Sequence, residues 1–123
     1  MFRSAIVYLF LVLLFSSFSW LIYENMSSEK LLSVDFEVFG KVQGVFFRKN
    51  TEKEANNLGV RGWCMNTQKN TVKGVIQGSP EKINEMKTWL QEVGSPSSRI
   101  DKTVFTNEKY LSKYTFSSFQ IKR

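Results

Sequence analysis

The chain has 123 residues, a single cysteine, no histidine and a formal net charge of +6. The length predicts one domain, and the positive charge favours anionic partners without separating a phosphorylated metabolite from RNA or an acidic membrane. Without histidine, imidazole catalysis, histidine metal ligation and Ser-His-Asp triads are excluded, and Cys64 alone excludes an internal disulfide and a multi-cysteine zinc site.

The N-terminal residues 1–25 form a hydrophobic segment that differs in composition from the rest of the chain. No charged residue occurs from Ser4 to Tyr23. A helix of this length extends about 30 Å, which matches the hydrocarbon core of a bilayer. We therefore expect membrane attachment through residues 4–23. A signal peptide is the alternative, because Arg3 provides a basic start and residues 17–19 provide a small-residue cleavage pattern.

Met26 offers a third reading, in which translation starts there and the product comprises residues 26–123. The net charge of +6 belongs to this segment, because Arg3 and Glu24 cancel within the first 25 residues. We expect the functional domain to lie at 26–123 in every case. The product is cytoplasmic if translation starts at Met26, whereas the full-length form is membrane-anchored or secretory.

The first half of this domain predicts a strand, a helix and a second strand. Apolar and polar side chains alternate over Leu32–Phe39, which is typical of a strand with one buried face. After a loop bounded by glycines, apolar residues recur at helical spacing over Arg48–Leu58, and Gly59 is placed to end the helix. Extended character returns over Val60–Asn66.

A hairpin and a second helix follow. Thr67–Asn70 reads as the turn, with Asn70 able to adopt positive φ, and Thr71–Gln77 reads as the return strand. Residues 79–81 supply a serine cap, a first-turn proline and an acidic side chain, which together predict a helix start. The apolar face of this helix comprises Ile83, Met86, Leu90 and Val93, with Gly94 after its end.

Two more extended segments complete the chain. Ile100–Thr106 alternates like a strand, and apolar residues at positions 116, 119 and 121 indicate a short terminal strand. The element order β-α-β-β-α-β plus a final strand predicts an α+β fold of the split β-α-β, ferredoxin-like type. In this fold one antiparallel sheet carries two helices on one face.

The loop between the first strand and the first helix is a candidate anion site. Gly40 and Gly44 bound it, and Arg48 lies in the first turn of the following helix. Backbone N–H groups at positions 43–46 and the positive end of the helix dipole suit a phosphate, which Arg48 would grip with its guanidinium. A plain strand-to-helix connection with a solvated arginine is the alternative. Asn66, before the hairpin turn, likewise reads as a local hydrogen-bonding residue when taken alone.

Two motifs resemble the acylphosphatases, in particular the animal common-type and muscle-type forms. Gly40-Lys-Val-Gln-Gly-Val-Phe-Phe-Arg48 is followed, fourteen residues after Arg48, by Gly62-Trp-Cys-Met-Asn66. The likeness runs from about Leu31 to Arg123. It also includes the first strand, the second helix at Met86–Leu90 and the loop at Gly94–Asp101.

The resemblance implies hydrolysis of an acyl phosphate to a carboxylate and inorganic phosphate, without metal or other cofactor. It assigns phosphate binding to Arg48 and orientation of the attacking water to Asn66. It further implies a small-molecule substrate, no nucleic-acid partner and a monomer. The backbone phosphate cradle maps onto six residues: Lys41, Val42, Gln43, Gly44, Val45 and Phe46.

Two other functions compete with this one. The first is an anion- or nucleic-acid-binding module of ferredoxin-like fold, although the chain lacks the aromatic-rich RNP segment of RNA-binding sheets. The second is a catalytically silent, membrane-tethered relative. The chain also departs from the family pattern at Phe36, often tyrosine, at Phe46, cysteine in the muscle and common forms, and at Asn70, usually glycine.

Overall fold

The computed structural model describes residues 30–123, which contain five strands and two helices. In chain order these are β1 (Leu31–Lys41), α1 (Phe47–Leu58), β2 (Arg61–Asn66), β3 (Val72–Gly78), α2 (Pro80–Thr88), β4 (Arg99–Leu111) and β5 (Phe119–Ile121). No helix within residues 30–123 is long and apolar enough to cross a membrane. The hydrophobic segment 1–25, with the expected membrane attachment at 4–23, lies outside the described residues.

The strands form one sheet in the order β4-β1-β3-β2-β5. The first four pair antiparallel, and both helices pack on one face, which confirms the predicted ferredoxin-like α+β fold. The short β5 differs, because it pairs parallel with β2 and makes the sheet mixed. The chain leaves β4 at one edge and returns at the other edge, where β5 runs in the direction of β2.

Alternate residues of β1, an inner strand of the sheet, contribute to the core. Leu32, Val34, Phe36 and Val38 are buried, and they form a cluster with buried residues of both helices. Phe36, at a position where the family often has tyrosine, has its ring beside Gly74 of β3: a Cβ at Gly74 would lie 2.8 Å from the ring. The ring thus fills the space that a side chain on β3 would occupy.

Several local predictions are confirmed in detail. Gly59 follows α1 in a left-handed conformation with φ 71°, and Asn70 takes φ 64° in the hairpin turn. The Ser79 hydroxyl accepts a hydrogen bond from the backbone N–H of Lys82 and caps α2. β4 is longer than the predicted Ile100–Thr106. The prediction stopped short because the polar second half of the strand is exposed and lacks the alternation that marks a half-buried strand.

The prediction that Val93 shares the apolar face of α2 is wrong. A π-helical turn, Trp89–Val93, continues directly from α2, and the N–H of Gly94 donates to the carbonyl of Trp89 five residues earlier, at 3.0 Å. A π turn holds more residues than an α turn, so it rotates Val93 away from the face that carries Leu90. Leu90 is fully buried, whereas Val93 is 60 % exposed.

Candidate active site

A cavity of about 430 Å³ opens where the β1–α1 loop, the end of β2 and the C-terminal segment meet. Its volume is in the range of small-molecule sites in proteins. Its lining residues are Val42, Gln43, Gly44, Phe46, Phe47, Arg48, Lys49, Asn66, Ile121 and Arg123.

The loop into α1 alternates in backbone handedness. Gly44 has φ 74° and Phe46 has φ 57°, whereas Val45 between them is not among the described residues with positive φ. Such alternation turns successive N–H groups towards one concave side, a nest that binds anions. The glycine makes the first of these left-handed conformations possible without steric cost.

The N-terminus of helix α1 lies at this loop, and no side chain of its cap or first turn offsets the positive end of the helix dipole. Phe46 provides no side-chain cap, and the first turn carries no acidic residue. The first N–H groups of a helix have no partner within the helix, and they coincide with the positive end of its dipole. The cavity therefore combines a nest with an uncapped helix N-terminus.

The Gln43 side chain fastens the loop to the hairpin turn. Its Nε2 donates to the carbonyl oxygens of Thr67 at 2.9 Å and Thr71 at 3.0 Å. The hydroxyl of Thr71 in turn donates to a carboxylate oxygen of Glu37, at 2.6 Å. The two hydrogen bonds of the Gln43 side chain, called the Gln43 anchor below, are thus linked through Thr71 to β1. Sequence reasoning gave Gln43 a backbone role only, because nothing in the sequence indicates that the loop meets the turn.

Asn66, the last residue of β2, lines the cavity, and its side chain carries an unpaired acceptor. Its Oδ1 is buried and accepts no hydrogen bond within the described part of the chain. A buried carbonyl oxygen without a donor is costly, so such an atom usually belongs to a site where water or a ligand supplies the hydrogen bond.

Arg48 brings a positive charge to the same cavity. It is half-buried in the first turn of α1 and takes part in none of the ion pairs between described residues. Its backbone carbonyl lies 3.9 Å from the Cys64 sulfur in the core. Burial raises the pKa of the Cys64 thiol to about 12, and the nearby Arg48 charge opposes that rise.

The acylphosphatase family model matches residues 34–121, which include both motifs and the whole cavity wall except the last residue. The chain belongs to the acylphosphatase family. Acylphosphatase-2 of Bos taurus is 62% identical over 92 residues, which cover 75% of this chain and 93% of that protein. Acylphosphatase-2 of Homo sapiens is 57% identical over 96 residues, 78% of this chain and 97% of that protein.

Solved acylphosphatase structures share the fold. The enzyme from Coxiella burnetii has a TM-score of 0.66 at 30% identity, covering 76% of this chain and 95% of that one. The enzyme from Bacillus subtilis has a TM-score of 0.69 at 27% identity, covering 75% of this chain and 99% of that one. With the close animal relatives, these findings confirm the predicted family and the predicted hydrolysis of acyl phosphates.

Most residues expected from the acylphosphatase resemblance lie together. Side chains or backbone at positions 42, 43, 44, 46, 48 and 66 line the cavity. Lys41 and Val45 do not: Lys41 ends β1 opposite Arg99, and the Val45 side chain is buried in the core. Trp63 and Cys64 are packing residues, the former on the helix-free face of the sheet and the latter in the core.

Four cavity residues were not among the site residues expected from the sequence: Phe47, Lys49, Ile121 and Arg123. Lys49 follows Arg48 directly, so its proximity was available from the sequence. Ile121 and Arg123 reach the cavity because β5 pairs alongside β2, with Ile121 opposite Cys64. Within residues 30–123 no group of acidic or cysteine side chains is arranged to hold a metal ion.

Proposed function

We propose that this acylphosphatase binds the phosphoryl group of a small acyl phosphate between the β1–α1 loop and Arg48, and directs a water molecule with Asn66. The observation that carries the proposal is that one cavity is lined by Arg48, the β1–α1 loop and Asn66, whose buried Oδ1 lacks a hydrogen-bond donor. A water molecule bound by Asn66 donates the hydrogen bond that its Oδ1 lacks, and this water lies beside the bound phosphoryl group.

Phosphoryl transfer depends mainly on positioning and on electrostatic stabilisation of the phosphoryl group, and the cradle supplies the electrostatic stabilisation. Backbone N–H groups of the loop residues that line the cavity, Val42, Gln43, Gly44 and Phe46, donate to the non-bridging oxygens, and Arg48 adds a charge-assisted contact. These donors are fixed before the reaction by the Gln43 anchor. They therefore stabilise the charge that builds up on the phosphoryl oxygens without reorganisation.

The proton balance needs no protein base. The side chains that line the cavity include no carboxylate, thiol or imidazole, and an asparagine amide cannot accept a proton at neutral pH. Water donates a hydrogen bond to Asn66 Oδ1 and its oxygen attacks phosphorus as the bond from phosphorus to the acyl oxygen breaks. The acyl group leaves as a carboxylate, and the water proton ends on a phosphoryl oxygen.

Two substitutions separate these roles. We expect Arg48→Ala and Asn66→Ala each to lower kcat/KM for benzoyl phosphate about 10³-fold, measured in EDTA with the full chain in mild detergent. Arg48→Ala raises the inhibition constant for inorganic phosphate as well, because the cradle loses its cation. Asn66→Ala acts on kcat while phosphate still binds, because only the water is misplaced.

Exposed residues of the same types provide matched controls. Arg99→Ala and Asn84→Ala, outside the cavity, should retain wild-type activity. Circular dichroism and thermal unfolding establish that each variant is folded. If folded Asn66→Ala hydrolysed benzoyl phosphate at the wild-type rate, the water-directing role of Asn66 would be wrong.

We further propose a small-molecule substrate, a monomer and, for a product that starts at Met26, a cytoplasmic location. The support is the family, since residues 34–121 match its model. Membrane attachment through residues 4–23 remains the alternative for the full-length form. Protease protection of a C-terminal tag in intact cells and vesicles distinguishes these locations.

A further inference from the structure

Phe46 is exposed at the mouth of the cavity. Its side chain is 79 % exposed, and of the four large apolar residues exposed within residues 30–123, it alone lines the cavity. The other three are Val93, Val104 and Tyr110. The ring therefore contributes little burial to the fold while it borders the place where a substrate binds.

The backbone of Phe46 is unfavourable for such a residue. Its φ of 57° and ψ of 28° are left-handed, a conformation that a bulky L side chain disfavours. Two hydrogen bonds from Asn50 hold it, because the backbone N–H and Nδ2 of Asn50 both donate to the Phe46 carbonyl, at 3.0 and 2.9 Å. Glycine would satisfy the loop at lower cost, so the fold does not explain a phenyl ring here.

The direction of the reaction places the acyl group near this ring. In a direct displacement at phosphorus the attacking water and the leaving carboxylate lie on opposite sides. The Gln43 end of the loop is bonded to Thr67, which follows Asn66, so that end adjoins the water. Phe46 lies at the other end of the loop, at the start of α1.

We propose that Phe46 is a specificity-determining residue whose phenyl ring packs against the acyl group, so that the enzyme favours acyl phosphates with aromatic or extended apolar acyl groups. The inference rests on the proposed function, because it needs the phosphoryl group in the cradle. Ile121 supplies a second apolar surface in the same cavity. Contact with the ring removes apolar surface of both partners from water and offers offset stacking to an aromatic acyl group.

The test compares benzoyl phosphate with acetyl phosphate in the full chain. The ratio of their kcat/KM values cancels any effect of a substitution on the phosphate cradle, because both substrates use it. Phe46→Asn, which tolerates the left-handed backbone, should lower the benzoyl-to-acetyl ratio about tenfold, mainly through KM for benzoyl phosphate. Phe46→Leu, which keeps an apolar side chain, should retain most of the wild-type ratio.

The outcomes separate this inference from the proposed function. A ratio in Phe46→Asn within about twofold of wild type would overturn the role of the ring, whatever the absolute rates. If Phe46→Asn does not fold, Phe46→Gly provides the same comparison without backbone strain. Failure of the wild type to hydrolyse either substrate, or to be inhibited by inorganic phosphate, would instead refute the proposed cradle.

Discussion

Cys64 is buried on the helix side of β2, a few residues from the proposed water-directing Asn66. Burial penalises the thiolate and raises the pKa of the Cys64 thiol from 9.0 to about 12, although the positive charge of Arg48 favours the thiolate. The thiol is therefore protonated in the folded protein over the whole physiological range, and it is a packing group rather than a nucleophile.

The raised pKa of Cys64 couples stability to alkaline pH. Above about pH 9 the unfolded chain loses the thiol proton while the folded chain keeps it, so stability falls as pH rises towards 12. Between about pH 8 and about pH 10 the wild type should lose about 1.4 kcal/mol more than Cys64→Ala, as measured by urea unfolding. Cys64→Ala serves as the control, because it shares every other titrating group with the wild type. Parallel pH profiles would contradict the buried thiol.

The resemblance to the acylphosphatases, and not residue type alone, pointed to Arg48 and Asn66. Both residues line the cavity, and their catalytic roles stay predictions. The left-handed backbone of Phe46 and the second role of Gln43 depend on how the loop turns and what it meets. Those features arise from contacts between distant segments, which the local sequence does not specify.

At the scale of elements, the Gln43 anchor joins the β1–α1 loop to the β2–β3 turn. Gln43→Ala removes both of these hydrogen bonds, and the carbonyl oxygens of Thr67 and Thr71 then keep only their backbone donors within the hairpin turn. We expect it to lower the free energy of unfolding by about 1–2 kcal/mol and to raise the inhibition constant for inorganic phosphate about tenfold, because the loop loses its fixed shape.

Gln68 provides the matched control, since it lies exposed in the same turn. Gln68→Ala should leave both quantities at wild-type values. A Gln43→Ala variant that lost stability but bound phosphate normally would show that the anchor serves the fold alone.

Alanine substitutions at Gly59 and Gly94, two glycines with similar φ, test how tightly the segment after α2 packs against the core. A Cβ at Gly94, with φ 68°, would lie 2.6 Å from Ser98 Oγ and 3.1 Å from the Phe47 ring, whereas a Cβ at Gly59, with φ 71°, meets nothing within 4 Å. Gly59→Ala, with ψ 23° in the left-handed helical region, should cost about 1 kcal/mol from backbone strain. Gly94→Ala should cost about 2–3 kcal/mol, because its ψ of −165° lies in a region essentially restricted to glycine and crowding is added. Urea unfolding measures both, and equal losses would refute the crowding.

The helix ends also mark a limit of sequence reasoning. The cap of α2 and the end of α1 followed from local residue preferences and were predicted correctly. The π turn that exposes Val93 was not predicted, because an α-helical periodicity was extended through residues that hydrogen-bond with a longer spacing. The sequence contains no proline or glycine inside that turn to signal the change.

At the scale of the molecule, element order and alternation were enough to predict the fold. Four strands and two helices have few ways to bury their apolar faces together, and the ferredoxin-like arrangement is one of them. The direction of β5 could not be predicted, because three residues carry little sequence pattern and a strand in either direction can hydrogen-bond to the edge of β2. That strand brings Ile121 and Arg123 to the cavity, so the same ambiguity hid part of the site.

The position of β1 between β3 and β4 has a consequence for how the molecule folds. β1 precedes the phosphate loop directly, yet its partners are β3 and β4, which come much later in the chain. Such non-local pairings require closure of long loops before they become favourable, which slows folding. The proposed cradle thus gains its shape only when distant parts of the chain have met, so we expect affinity for phosphate to arise together with the completed sheet and not before it.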